Sequence, residues 1–365
     1  MLPVMNDMPD DARKATTTPQ SVAFASWQFR PAIGGLTMSA TRERSAASVE
    51  SERQLSSDLP PRPHLRRLPR VALQEKSISV VIGCHNEQGY LRRTLDSLLA
   101  NLPHCTEIIV VDDQSTDGCC SFLSESGSRY SGVHLMRPTA RLGVSAARNF
   151  GARHARGEVL VFCDAHVEVP PGWAEPLLSA LTDPAAGAVM PAIRALDSQD
   201  DAHGYGIKFS NSTLGVEWLP LTGKGPYPVP LLCGCFLAMR REVYQDLGGF
   251  DPGMRVYGHE DLELSLHLWL RGYECRVVPE VTIAHRFSPE FRYPVHWEPL
   301  YNRLRIGVVH LGQERFFRLI AGVADWPQLG LAWEQLASSD IWARREQIRL
   351  ARSYDDDWYF KRFAI

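Results

Sequence analysis

Short runs of β-branched and other apolar residues, separated by helical patterns, constrain the fold of this chain most. They occupy residues 78–83, 108–111 and 159–163, with a weaker run at 133–136. Runs this short that are apolar throughout are typical of strands buried on both faces of a sheet. Leu91, Leu95 and Leu98 recur at helical spacing, and residues 145–155 predict a second helix that Ser145 is suited to cap. Strands that alternate with helices predict an α/β fold with a Rossmann-like, mostly parallel sheet flanked by helices.

The segments on either side of this pattern differ in composition. Residues 1–70 are rich in Ser, Thr, Ala, Pro, Asp and Arg without a sustained period, which predicts a disordered N-terminal extension. Residues 71–290 are expected to form the main domain, with further strands at 186–193 and 233–239 and a helix that begins near Asp261. Residues 291–365 predict a helical C-terminal extension.

Charge, hydropathy and cysteine spacing exclude several classes of protein. The net charge is −3 and the chain has no concentrated basic face, so nucleic acid is not an expected partner. No apolar run approaches the roughly 18–20 residues of a transmembrane helix. The eight cysteines include no C-x-x-C pair, which argues against zinc, and several lie in predicted strands as small apolar residues. These features favour a reduced, cytoplasmic protein.

Polar side chains follow three of the predicted strands. In open α/β sheets, ligands bind beyond the carboxyl ends of the strands, so these residues predict a charged site. No G-x-G-x-x-G or P-loop motif is present, which argues against dehydrogenases and ATPases. A bound phosphate would then need a metal ion or basic side chains, for which Arg141 and Arg148 are candidates. The alternative interpretation of Arg148 is an exposed helical residue paired with an acid. The residues at the three strand ends are Cys84, His85, Asn86 and Glu87, then Asp112 and Asp113, then Asp164 and His166.

The Asp-Ala-His tripeptide predicts a metal site. Residues i and i+2 at a strand end point to the same side, so Asp164 and His166 can reach one ion. A carboxylate oxygen with an imidazole nitrogen suits Mn²⁺, and Mg²⁺ less well. Asp112 and Asp113 have two interpretations: a polar exit from the strand, or acceptors for a uracil ring or ribose hydroxyls.

Glu260 and Asp261 also have two interpretations. They stand at the start of a predicted helix, where the helix dipole favours negative charge. Alternatively, a carboxylate beside a metal-bound sugar donor can act as a general base.

The ordered set of motifs resembles a known family. The segments at 79–87, 111–113 and 248–251 resemble family 2 glycosyltransferases of the GT-A fold. Those at 162–168, 250–254, 258–263 and 285–287 are similar to the polypeptide N-acetylgalactosaminyltransferases and their bacterial relatives. The resemblance covers residues 77–290 and implies a nucleotide-binding half at 71–168 and an acceptor and catalytic half at 169–290.

The resemblance implies specific roles. Asp164, His166 and His285 would be the ligands of a divalent metal, usually Mn²⁺, that binds the diphosphate of a UDP-sugar. Asp113 or Asp112 would contact the uridine with Arg141 nearby, and Glu87 and Arg148 are expected in the same donor site. The acceptor would be a hydroxyl of a small molecule or peptide.

Two departures from this family qualify the expectation. The N-acetylgalactosaminyltransferases, which retain anomeric configuration, carry Glu-Asn where this chain has Glu260 and Asp261. Glu-Asp is typical of inverting family 2 enzymes, which favours inversion with Asp261 as general base; retention is the alternative. The β-trefoil and membrane anchor of the animal enzymes have no counterpart here, which favours a bacterial relative. A sugar-phosphate nucleotidyltransferase and a non-catalytic nucleotide-sugar binding protein are the competing hypotheses.

Overall fold

The computed structural model describes residues 77–101, 106–125, 129–198, 202–287 and 296–365. The predicted disorder of residues 1–70 lies outside the described residues. Among the described residues, every helix is too short or too polar to cross a membrane.

Four parallel strands form the N-terminal half of the main sheet. They are β1 (Ile78–Cys84), β2 (Thr106–Asp112), β3 (Val133–Met136) and β4 (Val159–Asp164), in the spatial order β3-β2-β1-β4. The apolar runs of β1, β2 and β4 are buried on both faces, as their composition predicts. The register pairs Cys84 with Asp112 and Gly83 with Asp164. The polar residues at the three strand ends therefore emerge at one edge of the sheet.

The second half of the sheet is mixed. Strand β11 (Phe236–Arg240) runs antiparallel to β4 and joins it to β6 (Ala186–Ala195), which pairs in parallel with β12 (Glu274–His285). The end of β12 also pairs antiparallel with β5 (Val167–Glu168), with His285 opposite Val167. This pairing places His285 beside the Asp-Ala-His segment. Strands β7 (His203–Gly204) and β10 (Tyr227–Pro228) extend this sheet, and β8 (Ile207–Phe209) pairs with β9 (Val216–Trp218) separately.

Helices flank the sheet and make up most of the C-terminal part. The arrangement confirms the predicted α/β fold with a mostly parallel sheet and a helical C-terminal region. The helices are α1 (Tyr90–Ala100), α2 (Val144–His154), α3 (Ala174–Ala180), α4 (Arg241–Leu247), α5 (Glu260–Leu270), α6 (Glu298–His310), α7 (Gln313–Gly322), α8 (Leu329–Ala337), α9 (Ile341–Ala351) and α10 (Asp356–Phe363).

Two local predictions are wrong. Ser145 does not cap α2: the residue before that helix is Gly143, and the Ser145 hydroxyl has no hydrogen-bond partner among the described residues. The strand predicted from residue 233 begins only at Phe236, because the backbone of Gly234 is bonded elsewhere. Its N–H donates to Asp261 and its carbonyl accepts from Arg148.

A buried ion pair attaches α6 to the main domain. Arg305 of α6 is fully buried and donates from Nε and Nη2 to the two carboxylate oxygens of Asp251, at 2.8 and 2.9 Å. Its Nη1 donates to Asp340 at 2.9 Å. A Cβ at position 253 would lie 2.1 Å from this guanidinium, which explains why residue 253 is glycine. Asp251, the last residue of the segment 249–251, therefore anchors the C-terminal helices through Arg305.

We expect Arg305→Ala to lower the free energy of unfolding by about 3–5 kcal/mol, because it leaves the Asp251 carboxylate buried without its partner. Urea unfolding followed by circular dichroism measures the change. Arg349→Ala is the matched control, since Arg349 pairs with Glu346 on an exposed face of α9 and its loss should have little effect. Equal stability of the two variants would contradict this role of Arg305.

Candidate functional site

Three residues from two strand ends come together at the carboxyl edge of the sheet. Asp164 ends β4, His166 lies in the turn before β5, and His285 ends β12. Asp164 Oδ2 lies 3.3 Å from His285 Nε2 and 3.9 Å from His166 Nε2. Each residue has a ligand atom within 4.8 Å of the others. Ligands about 2.1 Å from one cation lie about 3 Å apart at right angles, so a small shift lets this set share an ion.

The charges of this cluster suit a cation. Burial alone would raise the pKa of Asp164, but the hydrogen bond with His285 and the positive charge of Arg148 hold it below its usual range. Burial lowers the pKa of His285, although Asp164 partly opposes the shift. The carboxylate is therefore ionised and the His285 ring neutral at physiological pH. These are the forms in which both residues bind metals.

Glu87 orients one of these rings. Its Oε2 accepts a hydrogen bond from His166 Nδ1 at 3.0 Å. With the proton on Nδ1, the lone pair of Nε2 faces Asp164 and His285, an arrangement common around metal-binding histidines. Glu87 was predicted among the donor-binding residues. In the structure its carboxylate contacts the cluster through the hydrogen bond with His166.

Arg148 joins the cluster to the start of α5. It is only 3% exposed, so its interpretation as an exposed helical residue is wrong. Its Nη2 donates to Asp164 at 2.9 Å and to the Gly234 carbonyl at 2.8 Å, and its Nη1 donates to Glu260 at 3.2 Å. The guanidinium charge is thus balanced by two carboxylates of the protein. The predicted place of Arg148 in the donor site stays a prediction.

The two acids at the start of α5 differ in their contacts. Glu260 accepts from Arg148 and from the Gly258 N–H, at 3.1 Å. Asp261 accepts from the N–H groups of Gly234, at 2.8 Å, and Leu262, at 2.9 Å. Burial, and next the negative charge of Glu260, raise the pKa of Asp261 to about 7. A carboxylate with this pKa can take up a proton near neutral pH.

Asp112 is fully buried and lies away from this cluster. It accepts from Arg137 Nε at 2.9 Å and from the Ser115 N–H at 2.8 Å. Both oxygens therefore have partners within the fold. This favours the interpretation of Asp112 as a polar strand exit over direct contact with a nucleotide.

Asp113 holds the loop that carries Arg141. Its two oxygens accept from the N–H groups of Leu142 and Gly143, at 2.6 and 2.8 Å. Gly143 has φ +78°, and a Cβ there would lie 2.8 Å from the Val256 backbone, so the close approach requires glycine. Arg141 itself is exposed next to this loop anchor. The structure therefore links Asp113 to the Arg141 loop, and direct contact of either residue with a uridine stays a prediction.

Three residues with a clear role here were not predicted. Arg137 pairs with Asp112, Gly234 bonds both Arg148 and Asp261, and Arg305 anchors Asp251. Arg137 directly follows β3 and could have been found as a basic residue at a strand end. The other two carry no local signal in the sequence, since their partners are 27 or more positions away.

Comparisons with known proteins show which families this chain is similar to. Residues 79–248 match glycosyl transferase family 2, and residues 222–297 match the N-terminal domain of galactosyltransferase. The human polypeptide N-acetylgalactosaminyltransferase 15 is 36% identical over 265 residues, which cover 66% of this chain and 41% of that protein. A probable N-acetylgalactosaminyltransferase 8 of Caenorhabditis elegans is 30% identical over 268 residues, covering 66% of this chain and 63% of that protein.

A solved structure has a similar fold. The crystal structure of GalNAc-T7 with UDP, GalNAc and Mn²⁺ superposes with a TM-score of 0.67 and 25% identity, over 80% of this chain and 57% of that one. The chain spans less than two thirds of the length of each of these three proteins. The two curated relatives are animal proteins, so they do not support the expectation of a bacterial relative. The cytoplasmic location stays a prediction.

Proposed function

We propose that this protein, which carries a GT-A fold glycosyltransferase domain that matches family 2 over residues 79–248, is a Mn²⁺-dependent enzyme that transfers a sugar from UDP to an acceptor hydroxyl. The single observation that carries the proposal is the convergence of Asp164, His166 and His285 at the ligand edge of that domain. Their one oxygen and two nitrogen donors suit Mn²⁺. Mn²⁺ is present with UDP in the GalNAc-T7 structure, and Mg²⁺ is a weaker candidate.

The proposed roles follow from the contacts. Asp164, His166 and His285 would hold the ion, which as a Lewis acid would stabilise negative charge on the departing UDP. Arg148 would keep Asp164 ionised and fix it relative to Glu260. Asp113 would position the loop of Arg141 toward the nucleotide. These residues would act by holding the positive charge of the ion where negative charge develops in the transition state.

We propose inversion with Asp261 as the general base. A base must accept the proton of the acceptor hydroxyl as the new bond forms, and the raised pKa of Asp261 suits this at neutral pH. The first acceptor to test is a polypeptide with serine and threonine, and the first donor is UDP-N-acetylgalactosamine, since the relatives are named for that sugar and a polypeptide. Small-molecule acceptors are the next class.

The test is UDP release from a panel of UDP- and GDP-sugars, with peptides or small alcohols as acceptors, in Mn²⁺ and after chelation. We expect release from one UDP-sugar that stops with the chelator. Activity with GDP-sugars alone, or full activity in chelator, would contradict the proposal. The anomeric configuration of the product, read by NMR, separates inversion from the retention that the alternative mechanism requires.

Glu87→Ala should weaken Mn²⁺ binding about 10- to 100-fold, because His166 loses the partner that fixes its ring. Titration of Mn²⁺ into the full chain, followed by electron paramagnetic resonance, measures the affinity. Glu168→Ala is the control: Glu168 lies two residues beyond His166 but pairs with Arg93 at the surface. An unchanged affinity in Glu87→Ala would remove this role.

The rate of transfer should increase as pH rises, and the midpoint of this increase should lie at or below about pH 7. Asp261 acts as a base only when ionised, and its carboxylate forms above its raised pKa. A bound dication stabilises nearby carboxylates, which lowers the pKa of Asp261 and moves the increase to lower pH. The dependence of kcat on pH at saturating donor and Mn²⁺ measures it. A rate that falls as pH rises from 5 to about 7 would have the wrong sign for this mechanism.

A further inference from the structure

Three cysteine side chains from two neighbouring strand ends meet in the interior. Cys84 ends β1, and Cys119 and Cys120 lie in the loop that follows β2. The Sγ atom of Cys84 lies 3.5 Å from the Sγ atom of Cys119 and 3.7 Å from that of Cys120. The Sγ atoms of Cys119 and Cys120 are 3.8 Å apart. All three side chains are buried. The absence of a C-x-x-C pair argued against zinc in the sequence, but the parallel pairing of β1 with β2 brings these distant cysteines together.

The spacing matches one face of a tetrahedral thiolate site. A Zn–S bond of about 2.3 Å with tetrahedral angles places the sulfur atoms about 3.8 Å apart. A flat three-coordinate site with the same bond length would need about 4.0 Å. The three separations therefore agree better with Zn²⁺ than with a trigonal ion. Among the described residues, no fourth Cys, His or carboxylate atom joins this group, so the described chain would supply three of the four ligands.

The contacts of Cys119 favour its thiolate, whereas hydrogen bonds with the neighbouring sulfur atoms and burial raise the pKa of Cys84 and hydrogen bonding with Cys119 raises the pKa of Cys120. The Ser115 hydroxyl and the Glu87 backbone N–H donate to Cys119 Sγ. The guanidinium of Arg137 also lies near these sulfur atoms, where it is paired with Asp112. Donors and a cation close to a sulfur stabilise the ionised form, which is the form that binds metal. Three thiols kept only as apolar filling need no such partners.

Other cysteines of the described chain lack one of these features. Cys233 and Cys235 approach to 3.4 Å, but they form a pair without a third ligand. Cys275 is buried with its thiol on the Ser265 carbonyl, apart from other cysteines. The combination of three sulfur atoms at ligand spacing with nearby donors is specific to the Cys84 cluster.

We propose that Cys84, Cys119 and Cys120 bind a Zn²⁺ ion, separate from the Asp164 site. Binding releases the thiol protons to solvent and forms three Zn–S bonds, without any change in oxidation state. The ion would tie the loop after β1 to the loop after β2. Because Glu87 contacts both Cys119 and His166, the zinc would also brace the residue that orients His166.

The zinc content of the purified full chain tests the proposal. We expect one zinc per chain in the native protein, in Asp164→Ala and in Cys275→Ala, and at least about a tenfold loss in Cys119→Ala. Retention in Asp164→Ala separates this site from the proposed Mn²⁺ site. A native protein without zinc after growth and dialysis in zinc, or equal zinc in native and Cys119→Ala proteins, would overturn the proposal.

Cadmium gives a second readout that does not depend on a variant folding. Cd²⁺ bound by thiolates gives an ultraviolet charge-transfer band that carboxylate and imidazole ligands do not give. Titration of the native chain, after removal of zinc, should produce this band at one equivalent. A missing band would overturn the proposal. So would an intact mass lower by two hydrogens with a Cys84–Cys119 or Cys119–Cys120 crosslink, since the cluster would then be a disulfide.

Discussion

The Asp164→Ala and His285→Ala proteins should each lose metal-dependent turnover of the UDP-sugar by about 10³-fold, equivalent to about 4 kcal/mol of transition-state stabilisation. Asp164 supplies the only carboxylate of the proposed metal set, and His285 lies 3.3 Å from it on a different strand. Removal of either leaves two protein ligands, too few to hold the ion firmly. Steady-state UDP release at saturating donor and Mn²⁺ measures the effect.

The control for these variants is Asp197→Asn. Asp197 is an exposed acid just beyond the end of β6, which pairs with β12 at His285, and it approaches Arg286. Its replacement should leave turnover within about twofold, because it is an exposed acid outside the proposed metal set. Circular dichroism and the unfolding midpoint show whether each variant is folded. A folded Asp164→Ala or His285→Ala protein with native activity would overturn the metal assignment.

Asp261→Asn should reduce transfer by about 10²- to 10⁴-fold while UDP binding with Mn²⁺ changes little. Asparagine keeps the size of the side chain but cannot accept the proton of the acceptor. It also keeps one oxygen for the N–H of Gly234 or Leu262. Single-turnover transfer and calorimetric titration of UDP separate the chemical step from donor binding.

Glu242→Gln is the matched control for this change. Glu242 also stands in the first turn of a helix, α4, where its charge favours the helix dipole, but it is partly exposed. Its replacement tests whether loss of an N-terminal acid alone affects transfer. If Asp261→Asn and Glu242→Gln behave alike, Asp261 is a helix-terminal acid and the inverting mechanism should be abandoned.

Much of the sheet could be predicted because its strands are buried on both faces. Runs of Val and Ile such as those of β1 and β2 carry a signal that does not depend on distant residues. The same local pattern places Asp164 and His166 on one side of a strand end. His285 required the resemblance, since it is 121 positions from Asp164 and only the pairing of β12 with β5 brings it close.

The environment of each charged side chain could not be predicted. Arg148 looks like an exposed helical residue, but three acceptors from three segments bury it. Asp112 and Asp113 are neighbours in sequence, yet one pairs with Arg137 and the other holds the Leu142 loop. Which acid is free for a ligand depends on long-range contacts that periodicity does not contain. The cysteine cluster was missed for the same reason.

The most direct test of the central claim is calorimetric titration of UDP into the full chain, with Mn²⁺ and after chelation. It needs neither the donor sugar nor the acceptor, and it reports on the donor site alone. We predict binding in Mn²⁺ that is lost in chelator and in the His285→Ala protein. UDP binding of equal strength with and without metal, or no binding in Mn²⁺, would contradict a metal-dependent nucleotide-sugar site at Asp164, His166 and His285.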